Sequence, residues 1–152
     1  MRMAHSQGFT LLELLAVLLL LTLMLGLAVP TLRRGWEGLR IASGLRQMAG
    51  ALRTARSLAV AQHQRVRVLV DLEQGTYRLE DGSRSGYWPR PLRLLDAHLV
   101  WENPGARRGY IAFYGDGSSS GGYLALGDPS GRRHFLSVEV ITGKVKLTTG
   151  GG

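Results

Sequence analysis

The feature that most constrains this chain is an unbroken apolar run near its N-terminus. Phe9 to Val29 reads FTLLELLAVLLLLTLMLGLAV, which is 21 residues with Glu13 as the only charged side chain. A helix rises 1.5 Å per residue, so the run would span about 30 Å, the thickness of the hydrocarbon layer of a bilayer. The run therefore predicts a transmembrane or filament-core helix over residues 9–29.

Glu13 needs an explanation, because a carboxylate within such a run costs a few kcal/mol in lipid and marks a functional position. Arg2 is the only basic residue before it, and the next one after it is Arg33. Its own helix therefore offers no basic partner. We expect the partner to be a positive group of another molecule, or an amine created by cutting the chain nearby.

A cleaved secretory signal is the alternative interpretation of this run. Gly26-Leu27-Ala28 has the small-x-small pattern of a signal peptidase site, and Arg2 supplies a short basic region before it. The apolar run is nevertheless longer than the usual about 7–15 residues of a signal peptide, and it contains a carboxylate. A soluble secreted domain freed at Ala28 stays open as an alternative.

Composition and motifs exclude several kinds of active site. The chain has no cysteine, so disulfides, thiolate zinc sites, iron–sulfur clusters and a cysteine nucleophile are excluded. Gly117-x-Ser119-x-Gly121 matches the nucleophile elbow on paper, but that elbow needs a following helix, and Tyr123–Leu126 is typical of a strand. No lysine follows these glycines, as a phosphate-binding loop would require. We predict no catalytic residue, no metal, no cofactor and no enzymatic activity.

Positive charge is concentrated after the apolar run. The net charge is +8; residues 31–67 hold eight arginines against Glu37, whereas residues 68–152 hold ten basic residues against nine acidic ones. Helical spacing of apolar residues from Leu45 to Ala59 predicts an amphipathic helix over 30–65. Its candidate basic surface is Arg33, Arg34, Arg46, Arg53 and Arg56. We expect this surface to face solvent or lipid headgroups. Nucleic-acid binding is not expected, because the rest of the chain lacks a basic patch with interleaved aromatic residues.

From Val66 onward the apolar period changes to two, which predicts strands. Val66–Leu72, a turn at Glu73–Gly75 and a return strand from Tyr77 to Leu79 form a predicted hairpin, and Asp81–Pro91 is a predicted loop. The other predicted features are strands at Leu99–Glu102, Tyr110–Tyr114, Tyr123–Leu126, Phe135–Ile141 and Lys144–Leu147, a turn at Thr142-Gly143 and a flexible end at 150–152. Six or seven strands after one long helix predict an α+β fold, with the helix packed on an antiparallel β-sheet or sandwich head at 66–152.

Gly8-Phe9-Thr10-Leu11-Leu12-Glu13 resembles the class III signal of type IV pilins and type II secretion pseudopilins. The resemblance implies that a prepilin peptidase cuts between Gly8 and Phe9, removes the leader 1–8 and methylates the Phe9 amine. It also implies that Glu13 pairs with the corresponding amine of a neighbouring subunit, and that Pro30 kinks the helix.

The C-terminal part is similar to the GspH/FimT-like branch of that family. The similarity lies in Phe113–Gly122 and in Val138–Val145 with its Thr142-Gly143 turn, while Tyr114-Gly115 departs from the branch, where a proline is expected before the aspartate. The branch implies a non-catalytic minor pseudopilin at or near the tip of a type II secretion filament, which helps to export folded proteins across the outer membrane. The alternative is a minor type IV pilin of surface pili, active in adhesion or DNA uptake.

The resemblance also implies partners and a location. The expected partners are major and minor pseudopilins, the prepilin peptidase, the inner membrane and secreted cargo. Arg33 and Arg34 alone would favour a cytoplasmic head by the positive-inside rule. The family places the N-terminus in the cytoplasm before cleavage and the head in the periplasm, and we follow the family because the peptidase cuts on the cytoplasmic face.

Overall fold

A computed structural model describes residues 9–151, with side chains except those of 27–35. The chain forms two compact units, one up to Leu39 and the other from Arg40 onward. One helix, α1 (Leu11–Gln62), belongs to both. The strands are β1 (Val66–Asp71), β2 (Thr76–Leu79), β3 (Ser85–Tyr87), β4 (Arg93–His98), β5 (Val100–Asn103), β6 (Arg108–Phe113), β7 (Gly122–Gly127), β8 (Arg133–Val138) and β9 (Val145–Gly150).

Both ends of α1 have local causes. Thr10 is the N-cap: its Oγ1 accepts a hydrogen bond from the backbone N–H of Glu13 at 3.3 Å. At the other end, His63 adopts a left-handed conformation with φ 51°, and Gln64 N–H donates to the Ala59 carbonyl at 3.2 Å. The helix therefore ends at Gln62, slightly before the predicted end at residue 65.

The unit from Arg40 onward contains two antiparallel sheets. Their strand orders are β3-β2-β1-β6-β5 and β4-β7-β8-β9. One hydrophobic core joins α1 to strands of both sheets, and the predicted helix stripe lies in it: Leu45, Met48, Leu52, Ala55 and Ala59 are all buried. The predicted α+β class, with a helix on antiparallel sheets, is confirmed.

The first hairpin follows its sequence signals. Val70 pairs with Tyr77 in register, and both side chains are buried. Asp71 Oδ1 accepts hydrogen bonds from the turn N–H groups of Glu73 and Gln74, and Gly75 takes the positive φ of 69° that closes the turn. The predicted turn at Glu73–Gly75 is therefore confirmed.

The structure corrects the predicted β region at four places. The predicted loop Asp81–Pro91 contains β3, a three-residue edge strand too short to show alternation. The missed strand β4 carries a register shift between Leu94 and Asp96, which breaks its period of two and leaves Leu95 exposed. β8 ends at Val138 because the Glu139 carbonyl accepts from Gly143 N–H in a turn. The predicted flexible end begins too early, since Gly150 pairs with Arg133 in β9.

Candidate functional site

The first part of α1 presents apolar side chains in all directions. Every described side chain from Phe9 to Gly26 is exposed, with Leu11 at 79%, Leu12 at 80% and Leu19 at 72%. The hydroxyl of Thr22 is satisfied locally, because it donates to the Leu18 carbonyl at 2.7 Å. An apolar surface of this extent marks a region of contact with other molecules or with a membrane.

Glu13 lies in the first turn of α1, among these exposed leucines. None of the ion pairs within residues 9–151 involves Glu13. Phe9 is 70% exposed just before the helix, and Gly8, the other residue of the predicted cleavage site, lies outside the described residues. Cleavage, methylation and charge pairing at these positions stay predictions.

The stretch after the apolar run is helical through Pro30, Arg33 and Arg34, whose side chains lie outside the described ones. The predicted kink at Pro30 and the headgroup contacts of the two arginines therefore stay predictions. In the part of the chain that the structure describes, no helix combines the length and the apolarity needed to cross a membrane.

The other three arginines of the predicted basic surface differ in environment. Arg46 and Arg53 are exposed. Arg56 is half-buried, and its Nε donates to the carbonyl oxygens of Gly117 at 3.2 Å and Thr142 at 3.0 Å. Arg56 therefore fastens α1 to two loops of the β region, and the role of these arginines as a basic surface stays a prediction.

The Gly/Ser loop between β6 and β7 is held by hydrogen bonds of its own residues. The hydroxyl of the buried Ser119 donates to the Glu139 carbonyl at 2.8 Å and accepts from Gly121 N–H at 3.0 Å. The loop leads into strand β7, where a nucleophile elbow would lead into a helix. Ser119 thus joins this loop to the turn after β8.

Gly115 explains the departure from the family pattern before Asp116. A Cβ at position 115 would lie 2.9 Å from the backbone Cα and carbonyl carbon of His63, at the end of α1. Any residue with a side chain, proline included, would require that contact to shift. The glycine therefore allows the loop to approach the end of the helix.

A polar cluster around the buried Asp128 and His134 at the β7–β8 turn was not predicted from the sequence. Asp128 accepts hydrogen bonds from the Ser130 hydroxyl at 2.6 Å and from Arg132 Nε at 3.0 Å. His134 Nε2 lies 3.4 Å from Asp128 Oδ2, and its Nδ1 lies 3.0 Å from Thr149 Oγ1. The only sequence signal is Asp-x-Ser, which also forms turns at Asp81 and Asp116.

Comparisons with known proteins agree with these features. The family model for type II transport protein GspH matches residues 45–140, and the model for the prokaryotic N-terminal methylation motif matches residues 3–29. The type II secretion system protein H of Xanthomonas campestris pv. campestris is 31% identical over 140 residues, which cover 92% of this chain and 82% of that protein.

Two solved structures share the fold. The type IV minor pilin FimU of Pseudomonas aeruginosa has a TM-score of 0.54 at 17% identity, over 74% of this chain and 90% of that one. The minor pseudopilin EpsH of the type 2 secretion system of Vibrio cholerae has a TM-score of 0.55 at 12% identity, over 72% and 96%. The FimU match concerns the fold alone and does not favour the type IV pilin alternative.

The GspH model covers more than half of the chain, and the relative from Xanthomonas is similar over almost all of it. The chain therefore belongs to the GspH family of type II transport proteins and is a minor pseudopilin.

Proposed function

We propose that this minor pseudopilin is anchored in the inner membrane by residues 9–29 and assembles with other pseudopilins into the periplasmic filament of a type II secretion system. In that filament it would lie at or near the tip and help to export folded proteins. The observation that carries the proposal is the first part of α1, which is exposed on all sides and apolar except for one carboxylate without an ion-pair partner among the described residues.

The apolar surface supports both membrane anchoring and assembly. Burying one leucine side chain gains about 1.5–3 kcal/mol, and eight leucines lie between Leu11 and Leu21. Lipid covers such a surface before assembly, and the helices of neighbouring subunits cover it afterwards. The apolar run continues to Val29, beyond the last described side chain of this part of α1.

Processing supplies the missing partner of Glu13. Cutting after Gly8 would leave an α-amine on Phe9, which methylation keeps basic. Both charges are costly in lipid when unpaired, and a subunit shifted along the filament axis can bring the amine of one to the carboxylate of the next. The pair then fixes the register between subunits, while the leader 1–8 is removed by the prepilin peptidase.

The role proposed for the chain is structural. The family consists of structural subunits, and the polar groups of the Gly/Ser loop are used in holding loops together. Secreted cargo and other minor subunits would meet the unit that begins at Arg40, which contains the core residues from Ile41 to Val145.

The proposal is tested by Glu13→Ala in cells that carry the complete secretion system. We expect unchanged cleavage and membrane level, but at least about tenfold less protein in purified filaments or tip complexes, because docking loses a charge pair. Glu13→Gln, which keeps a hydrogen-bond acceptor without charge, should fall between. Glu37→Ala is the control, since it removes an exposed carboxylate outside the apolar run. Equal recovery of wild-type and Glu13→Ala protein would contradict the proposal.

A further inference from the structure

A polar pocket of about 740 Å³ lies between α1 and the β2–β3 hairpin, within the unit that begins at Arg40. The helix contributes Ser43, Arg46 and Gln47 to its lining, and the hairpin contributes Tyr77, Ser83 and Arg84. Within residues 9–151, no carboxylate is among its lining residues, and the small residues Gly50 and Ala51 complete the helix side of the lining. The pocket therefore combines two guanidinium groups with several neutral hydrogen-bonding groups.

Both arginines have guanidinium N–H donors available for a ligand. Arg46 uses its Nε on the Ala42 carbonyl at 3.1 Å, which leaves the end of the guanidinium free. Neither Arg46 nor Arg84 takes part in an ion pair within residues 9–151. The neighbouring carboxylates are engaged elsewhere, since Asp81 accepts from Ser83 and Glu80 is paired with Arg67.

Tyr77 places a phenol at the pocket. Only 4% of the residue is exposed, but none of the buried side-chain oxygen and nitrogen atoms of the described residues lacks a hydrogen-bond partner, so the Tyr77 hydroxyl is the part of the side chain that opens to solvent in the pocket. The ring contacts Gly86, where a Cβ would lie 2.5 Å from the Tyr77 hydroxyl oxygen. Burial raises the pKa of Tyr77, and the nearby positive charge of Arg84 opposes that rise. The phenol is therefore a neutral donor held beside a guanidinium at the pocket.

We infer that this pocket receives an acidic side chain from an extended segment of a neighbouring pseudopilin. An arginine fork matches a carboxylate in shape and charge. Gln47 and the hydroxyls of Ser43 and Tyr77 can both donate and accept, so they fit the peptide groups that flank a carboxylate. This inference rests on the proposed assembly into a filament.

The charge of the chain favours an acidic protein partner. Between Glu37 and Asp71 the sequence holds six arginines and no acidic residue. A phosphate or a lipid headgroup could pair with the arginines, but it offers acceptors only and leaves the acceptor capacity of Gln47 and Tyr77 unused. A peptide segment satisfies both kinds of group.

The test uses the mature full-length chain in a neutral detergent. The probe is a fluorescein-labelled peptide of alternating glutamate and glycine, and its glutamine counterpart reports binding that does not need the carboxylate. Fluorescence anisotropy gives the affinities. Arg46→Gln and Arg84→Gln should each weaken binding about tenfold, and Tyr77→Phe about three- to fivefold. Arg53→Gln is the matched control, because it removes the same charge from an exposed position of the same helix outside the pocket.

A loss confined to the three pocket variants supports the inference, provided that their circular dichroism spectra are unchanged. An equal loss in Arg53→Gln would reduce the effect to net charge and overturn it, as would unchanged binding in the pocket variants. Vesicles of phosphatidylglycerol form the second arm: a loss of vesicle binding without a loss of peptide binding would assign the pocket to lipid. Peptide binding requires no filament, so this test can fail while the Glu13 test succeeds, or the reverse.

Discussion

Arg56 shows how a residue of a charged helix can serve the fold. It lies among arginines that face solvent, but its half-buried guanidinium holds the loop before β7 and the turn before β9 against α1. Its charge could be read from the sequence, whereas the two carbonyl oxygens that it contacts come from 61 and 86 residues away. Such long-range partners leave no signal in local helical spacing.

We expect Arg56→Gln to lower the free energy of unfolding by about 1–3 kcal/mol, because two carbonyl groups lose a charged donor. Arg53→Gln, three residues earlier and exposed, should change it by less than about 0.5 kcal/mol. Denaturant unfolding followed by tryptophan fluorescence measures both. Equal stability of the two variants would show that the contacts of Arg56 contribute nothing.

Asp128 makes the stability of the β region depend on pH. Burial disfavours its ionised form, but hydrogen bonds from Ser130, Arg132 and His134 outweigh burial and hold the pKa of Asp128 well below its ordinary value of 3.8. Because the pKa of Asp128 is lower in the folded state, its ionised carboxylate stabilises the fold at pH values above its ordinary pKa. This stabilisation is lost as pH falls from about 4 towards the lower folded-state pKa.

Asp128→Asn should therefore weaken the fold at neutral pH by about 1–3 kcal/mol, since an amide replaces a charged acceptor of several hydrogen bonds. It should also flatten the decrease in stability between about pH 4 and about pH 2. Urea unfolding midpoints across this range measure the effect, with Asp96→Asn at an exposed carboxylate as control. An unchanged acid slope in Asp128→Asn would mean that other carboxylates set the pH dependence.

At the scale of elements, we expect substitution by alanine to have opposite effects at two glycines of α1. A Cβ at Gly44 would lie 2.5 Å from the Pro89 ring, whereas a Cβ at Gly50 would meet nothing within 4 Å. Gly44→Ala should destabilise the fold by about 1–3 kcal/mol through overpacking. Gly50→Ala should stabilise it by about 0.5–1 kcal/mol through helix propensity. Thermal unfolding of both variants measures the difference, and shifts of the same sign would contradict this packing of α1.

The elements that could be predicted from the sequence are those whose apolar residues recur with a clear period. The helix stripe from Leu45 to Ala59 and the hairpin of β1 and β2 were predicted from periods that the structure confirms, because one face of each is buried in the core. β4 was missed because a register shift interrupts its alternation, and β3 because three residues carry no period. β4 is held by pairing with β7, which is distant in sequence, whereas β3 pairs with β2, the preceding strand of the chain.

At the scale of the whole molecule, the N-terminal motif could be recognised from the sequence alone. A carboxylate within an apolar run, preceded by Gly-Phe-Thr, needs no tertiary contact to be recognised, and the N-terminal methylation motif matches the same residues. The pocket of Arg46 and Arg84 could not be found in this way, because its two arginines lie 38 positions apart and meet only through packing of the β2–β3 hairpin on α1.

The measurement that tests the central claim most directly is mass spectrometry of the mature N-terminus. The protein would be purified from inner membranes of cells with an active prepilin peptidase. We predict a chain that begins at Phe9 with a methylated amine, and a Gly8→Val variant that stays uncut because a branched side chain crowds the peptidase site. A mature chain that begins at Val29, after cleavage at Ala28, would contradict membrane anchoring and assembly through Glu13.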